Sequence, residues 1–151
     1  MPLLALDGDD RLVKTTHFDD EMRQLADRHY SRAPSSIGKR QFTRNGSKLI
    51  LRNASGSILF AWTVDGVPRW DGQEGMNNAI FRNESDRPSS EIILEAEEHA
   101  KRKWPELRRF YTYIDPSKVA SPNPGFCFKK AGWRFVKLSD NGKHLLEKWV
   151  G

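Results

Sequence analysis

FYTYIDPSKVASPNPGFCFKKAGW, residues Phe110 to Trp133, reads as a buried strand stopped by Asp115-Pro116. A loop of Ser, Asn, Pro and Gly follows, and then one short helix closing on Ala131-Gly132-Trp133. A carboxylate at a strand end, followed by a rigid loop and a helix N-terminus, is where open α/β sheets place ligand chemistry.

Working outward, the chain alternates strand and helix patterns. Arg11 to Phe18 is predicted as a first strand. Asp19, Asp20 and Glu21 supply a capping residue and an acidic first turn for a helix over Asp20 to Ser31, whose apolar face is Met22, Leu25, Ala26 and Tyr30. Lys48 to Arg52 and Ser57 to Val64 read as strands joined by the hairpin turn Asn53 to Gly56. Asn78 to Arg82 is a further short strand. Glu91 to Trp104 places Ile92, Ile93, Ala96, Ala100 and Trp104 on one helical face, and Pro105 ends it. Gly125 to Ala131 forms the short helix, with Gly132 as its stop. Arg134 to Leu138 and Leu145 to Val150 close the chain through the turn Ser139 to Gly142. This order predicts an α/β fold with antiparallel and parallel strands.

The 151 residues suit one domain spanning 1–151, with 1–10 as a loosely ordered lead-in. An apolar share of 37% and five Trp are enough for a packed core, which excludes a globally disordered chain. No apolar run reaches the roughly 20 residues of a membrane span. The N-terminus lacks the basic region of a signal peptide. Cys127 is the only cysteine, so a reducing, cytoplasmic setting is expected. The net charge of +5 favours a polyanionic partner. Arg28, Arg32, Lys39, Arg40, Arg44, Lys48 and Arg52 lie in one segment, and Lys101, Arg102, Lys103, Arg108 and Arg109 in another. No zinc spacing, phosphate-binding Gly-Lys-Ser/Thr loop or Gly-x-Ser-x-Gly elbow is present, and no metal site is expected.

Over nearly the whole chain this element order resembles the GCN5-related N-acyltransferases (GNATs). The resemblance implies a mixed, mostly antiparallel central sheet with flanking helices and a splayed parallel strand pair. In that family a strand leads into a loop and helix that bind the diphosphate of coenzyme A. The matching place here is Arg82 to Glu91, which lacks the family's spaced glycines. It offers Arg82, Arg87, Ser89 and Ser90 beside free N–H groups at a helix start, an arrangement equally suited to an anion site or to ordinary capping.

Three blocks and a closing segment resemble the Mom-like branch of phage and prophage enzymes that modify DNA bases: His29-Tyr30-Ser31, Ser89-Ser90-Glu91-Ile92-Ile93, Tyr113-Ile114-Asp115-Pro116, and Phe128 to Trp133. The resemblance implies an acyl-CoA-dependent N-acyltransferase, with acetyl-CoA or another acyl-CoA as co-substrate. Its acceptor would be a nucleobase in phage or prophage DNA, and its setting the cytoplasm of an infected or lysogenic bacterium. The alternatives are a small-molecule or protein amine N-acetyltransferase, and a basic nucleic-acid-binding module without activity.

Acyl transfer needs proton removal from the amine. Asp115, beside Phe110, Tyr111 and Tyr113, is the candidate base, its pKa expected to rise against the aromatic walls; the alternative is a strand stop that caps a turn. His29 and Tyr30 complete the catalytic candidates, with His29 expected to be favoured as the cation by the helix C-terminus. Tyr30 reads equally as a core residue. Arg82, Ser89, Ser90 and Asn123 are the donor-binding candidates, and Asn123 also reads as a helix-capping turn residue. Ser31, Tyr113 and Glu84 are the acceptor-binding candidates, Glu84 doubling as a second base. Cys127 reads as a small core residue.

Overall fold

In the computed structural model, the described residues are 10–29, 46–65, 71–118 and 123–151. One seven-stranded sheet runs in the order β1-β2-β3-β4-β5-β7-β6. Its strands are β1 (Val13–Thr15), β2 (Ser47–Arg52), β3 (Ile58–Val64), β4 (Met76–Asn83), β5 (Arg109–Ile114), β6 (Arg134–Leu138) and β7 (His144–Trp149). The α-helices among the described residues are α1 (Asp20–Asp27), α2 (Ser89–Lys103) and α3 (Phe126–Lys130). Neighbouring strands are antiparallel except β4 and β5, which run parallel. This is the expected mixed sheet. Among the described residues no helix is long and apolar enough to cross a membrane.

The helices sit where their apolar faces dictate. Met22, Leu25 and Ala26 of α1 pack with Ile50, Leu59, Ala61 and Ile80 on one side of the sheet. Ile92, Ile93, Ala96 and Ala100 of α2 pack on the other side with Trp62, Phe110, Phe128 and Trp133. Trp62 is fully buried; it packs against a tilted Phe110 at 5.2 Å and stacks with Trp133 at 6.3 Å between ring centroids. Its indole N–H donates to the Ala96 carbonyl at 3.0 Å, so the ring is buried with its polar edge satisfied. Burial of each such ring contributes about 2–3 kcal/mol.

Asp19 caps α1 by accepting from the Met22 amide at 3.1 Å, and it also receives Arg52 at 2.8 Å. Burial works to raise its pKa, but the bonds from Arg52, Thr15 and Met22 outweigh this and hold it low. The capping expectation holds. The first strand is shorter than Arg11 to Phe18, because only Val13 to Thr15 find partners on β2. The helix predicted to reach Ser31 ends at Asp27, capped by Arg28; Tyr30 and Ser31 lie outside the described residues. Across the sheet, Glu97 of α2 accepts from Trp133 at 2.9 Å and Lys148 at 2.7 Å, which ties α2 to β7.

Two features of β4 position the site. The first is a bulge. Ala61 pairs with Ile80, but the next residue, Trp62, pairs with Asn78, so Ala79 is an extra residue in the strand. Met76 therefore faces α2, whereas Ile80, which alternation would put on the same face, packs against α1. The second is a parting of strands. β4 and β5 pair only over Met76–Phe110, Asn77–Tyr111 and Asn78–Thr112. Beyond that rung both strands continue, β4 to Asn83 and β5 to Ile114, without pairing to each other.

Candidate functional site

The parting strands open a cleft of about 590 Å³. Its floor is the last shared rung. Thr112 donates its hydroxyl toward the Asn78 carbonyl at 3.1 Å, and Asn78 Nδ2 donates to the carbonyls of Ala61 and Ile80 at 3.2 and 3.1 Å. Asn77, on the α1 face, donates to Thr63 at 3.3 Å. Three polar side chains thus lie buried inside a sheet, each hydrogen-bonded, as burial requires. They hold the bulge and the splay in place.

The cleft passes through the sheet. Asn78, Phe81, Asn83, Ser89, Thr112, Ile114, Cys127 and Phe128 line it toward α2 and α3, while His29, Asn77, Arg82, Tyr113 and Asp115 line it toward α1. On the α2 side Asn83 organises the entry. Its Nδ2 donates to the Arg87 carbonyl at 2.7 Å and to Ser89 Oγ at 3.0 Å, while its Oδ1 accepts from the Ser85 amide at 2.9 Å. The loop is thereby folded by an Asn side chain, without glycines. α2 opens at Pro88 with no side-chain cap, so the N–H groups of Ser89 and Ser90 have no intrahelical acceptor. Ser89 Oγ accepts from Asn83 and keeps its own hydrogen to donate.

His29, Arg82, Ser89, Tyr113 and Asp115 therefore line one cleft. Their chemistry differs from expectation in several places. Asp115 is not raised. Its carboxylate accepts from the Ser117 hydroxyl and amide at 2.6 and 3.0 Å, which, with Lys118 and Lys143 nearby, holds its pKa below the usual range. The aromatic walls do not enclose it. His29 is not cationic: burial, with Arg82 adding repulsion, drives its pKa down to about 4. The helix C-terminus does not offset that desolvation.

Glu84 does not line the cleft. Arg28 grips it with two bonds at 2.9 and 3.0 Å and Arg82 adds a third at 3.0 Å. These bonds, Arg28 first, lower its pKa and neutralise it as a base. Arg82 also donates to the Arg28 carbonyl at 3.1 Å, so its head ties β4 to the end of α1. Arg87 is buried and turned away, toward Glu95 at 2.6 Å and the Asp10 carbonyl at 3.0 Å, and does not serve the helix start. Ser90 does not line the cleft. Asn123 is exposed and outside it; Lys129 donates to its Oδ1 at 2.6 Å and the Phe126 amide to its carbonyl at 3.1 Å, the turn reading. The Cys127 thiol lines the cleft, and burial raises its pKa.

Sequence reasoning missed Asn77, Asn78, Asn83 and Thr112. The pair Asn77-Asn78 before an apolar run was the available signal, because a buried polar pair inside a strand needs a special partner.

No protein-family model and no curated protein matches this chain. Solved structures do. An aminoglycoside acetyltransferase AAC(6')-Ib in complex with coenzyme A aligns over 92% of this chain and 94% of its own, at 14% identity and a TM-score of 0.66. A Bacillus subtilis acetyltransferase in complex with CoA aligns over 93% and 99%, at 10% identity and a TM-score of 0.63. The GNAT domain of S. lividans PAT aligns over 91% and 89%, at 14% identity and a TM-score of 0.59. Such low identities over nine-tenths of the chain carry architecture: this protein has the fold of the GCN5-related N-acyltransferases.

Proposed function

We propose that this protein is an acyl-CoA-dependent N-acyltransferase whose acceptor is a small-molecule amine. The observation that carries this reading is the cleft between β4 and β5, open through the sheet from the bare start of α2 to His29 and Asp115. Beyond Asn78, β4 has no strand partner on its β5 side, so this edge can take up an extended donor arm as an added strand would. The N–H groups of Ser89 and Ser90 suit the arm's anionic end. The coenzyme A in two of the aligned structures supports the same donor.

The reaction follows from that arrangement. The acceptor enters from the α1 side and its neutral amine attacks the thioester carbonyl. A C–N bond forms, the C–S bond breaks, and the thiolate leaves with the sulfur's electron pair and is protonated by water. The ammonium proton is lost to solvent or to a group at the cleft mouth. Asp115 is ionised there and attracts and orients the amine. His29, neutral, forms part of the acceptor wall.

A nucleobase in DNA is the acceptor implied by the resemblance of the three blocks and the closing segment taken together; of these residues Tyr30 and Ser31 lie outside the described ones. The aligned structures named above are not DNA-modifying enzymes by their names. Calorimetric titration with acetyl-CoA tests the donor, and Ser89→Ala should weaken that binding by about 1 kcal/mol. Absence of wild-type binding rejects the reading. Thiol release with small amines, set against nucleoside analysis of treated DNA, separates the two acceptors.

A further inference from the structure

A second cavity, of about 700 Å³, adjoins the cleft. Asp71 and Gln73 line it from the segment before β4, Tyr113 from β5, Lys137 from β6, and Asp140 and Lys143 from the β6–β7 turn. Tyr113 and Lys143 line both cavities. An acceptor whose amine lies in the cleft therefore extends the rest of its body past these two side chains.

Every residue lining this chamber carries a polar or charged group, set on the apolar stems of its side chains, and its charges are two carboxylates, Asp71 and Asp140, and two ammonium groups, Lys137 and Lys143. The Asp71 carboxylate accepts the Tyr113 hydroxyl at 2.9 Å. Gln73 Oε1 accepts from Arg109 at 2.8 Å, which orients the amide and leaves its N–H₂ as a donor. Lys137 and Lys143 form no ion pair among the described residues. Lys143 is half-buried at the junction and close enough to Asp115 to act on it electrostatically. The ammonium groups of Lys137 and Lys143 and the Gln73 amide face the space that the acceptor's body would fill, together with the Asp140 carboxylate from the turn. Lys143, at the junction with the cleft, and Lys137 beyond it offer the charge-assisted donors that a carboxylate on the acceptor would take up.

Resting on the N-acyltransferase reading, we propose that the acceptor is an amine that also carries a carboxylate, an amino-acid-type substrate. Its carboxylate is held by Lys143 and Lys137 in the second chamber while its amine projects into the cleft toward Asp115.

The test compares pairs that differ only in the carboxylate: L-phenylalanine with phenethylamine, and L-lysine with cadaverine. Kanamycin and duplex DNA serve as polycation and polyanion controls. With acetyl-CoA and the intact protein, the carboxylated member should exceed its partner about tenfold or more in kcat/KM, as expected for a charge-assisted contact. Lys143→Gln should erase that preference through KM, whereas Lys130→Gln, on exposed α3, should leave it intact. Equal rates within each pair, or preference for cadaverine, kanamycin or DNA, overturn the proposal. Saturation-transfer NMR of L-phenylalanine against phenethylamine reads the same site without turnover. No carboxylate-dependent signal there overturns it as well, even if acetyl-CoA binds. A Lys143-dependent signal without acetyl-CoA binding keeps the carboxylate site and rejects only the donor.

Discussion

The Thr112 hydroxyl donates toward the Asn78 carbonyl, 3.1 Å away, at the last rung before the two parallel strands part. Thr112 is 2% exposed and Asn78 6%. Thr112→Val keeps the shape and the β-branching but leaves Asn78 short of a buried donor. Stability should fall by about 1–3 kcal/mol. Urea unfolding measures it; an unchanged midpoint would show that the rung does not hold the splay.

Gly75 sits where the same two strands converge. Its φ is +123°, and a Cβ there would lie 2.4 Å from the Arg109 carbonyl oxygen. A backbone atom cannot swing aside as a side chain can. Gly75→Ala should therefore cost about 2 kcal/mol or more from backbone strain alone, with further loss from the clash. Thermal melting close to wild type would contradict this.

For Asp115→Asn the two roles separate. The amide oxygen still accepts from Ser117, so the turn and the melting temperature should hold. Because the native carboxyl is held low, it is a poor proton acceptor, and loss of charge should act on binding. The expected fall in kcat/KM is about 10–100-fold, carried by KM, as for a charged hydrogen bond. A drop in kcat with KM unchanged would restore the general-base role.

His29 links stability to pH. Its pKa is about 4 in the folded protein against 6.5 ordinarily. The unfolded chain thus binds the extra proton first, and stability present above pH 6.5 is lost as pH falls toward 4, by at most about 3 kcal/mol. His29→Gln should flatten that slope in denaturation at pH 4.5 and 7. Because the neutral amine attacks, kcat/KM should rise with pH as the acceptor's ammonium loses its proton. An inflection near pH 6.5 that vanishes in His29→Gln would show a titrating imidazole.

Much of this was legible beforehand. Ile92, Ile93, Ala96 and Ala100 follow helical spacing and are buried as a stripe, because a long amphipathic helix has one way to sit on a sheet. β6 has the predicted bounds, and β5 ends at Ile114, just before the predicted stop at Asp115-Pro116. The site was legible as a neighbourhood, since strand ends converge at a splay. Side-chain states were not. Whether Asp115 is raised or lowered depends on Ser117, two residues on, and the low pKa of His29 reflects burial against a distant strand. Arg87 reads as a free cation in sequence and is consumed by Glu95, eight residues away. Local pattern carries no account of which partner reaches a charge first.

Ala79 has a consequence for how this chain can change. From Ile80 onward every β4 side chain is out of phase with those before it. Removing one residue between Asn78 and Ile80 would drive Arg82 into the apolar layer and eject Phe81, whatever the composition. A relative that kept the cleft would therefore have to keep the number of residues there, even with few of the same side chains. Single-residue insertions and deletions in this strand should be far less tolerated than substitutions, and a scan of such indels would mark out the cleft's wall by length.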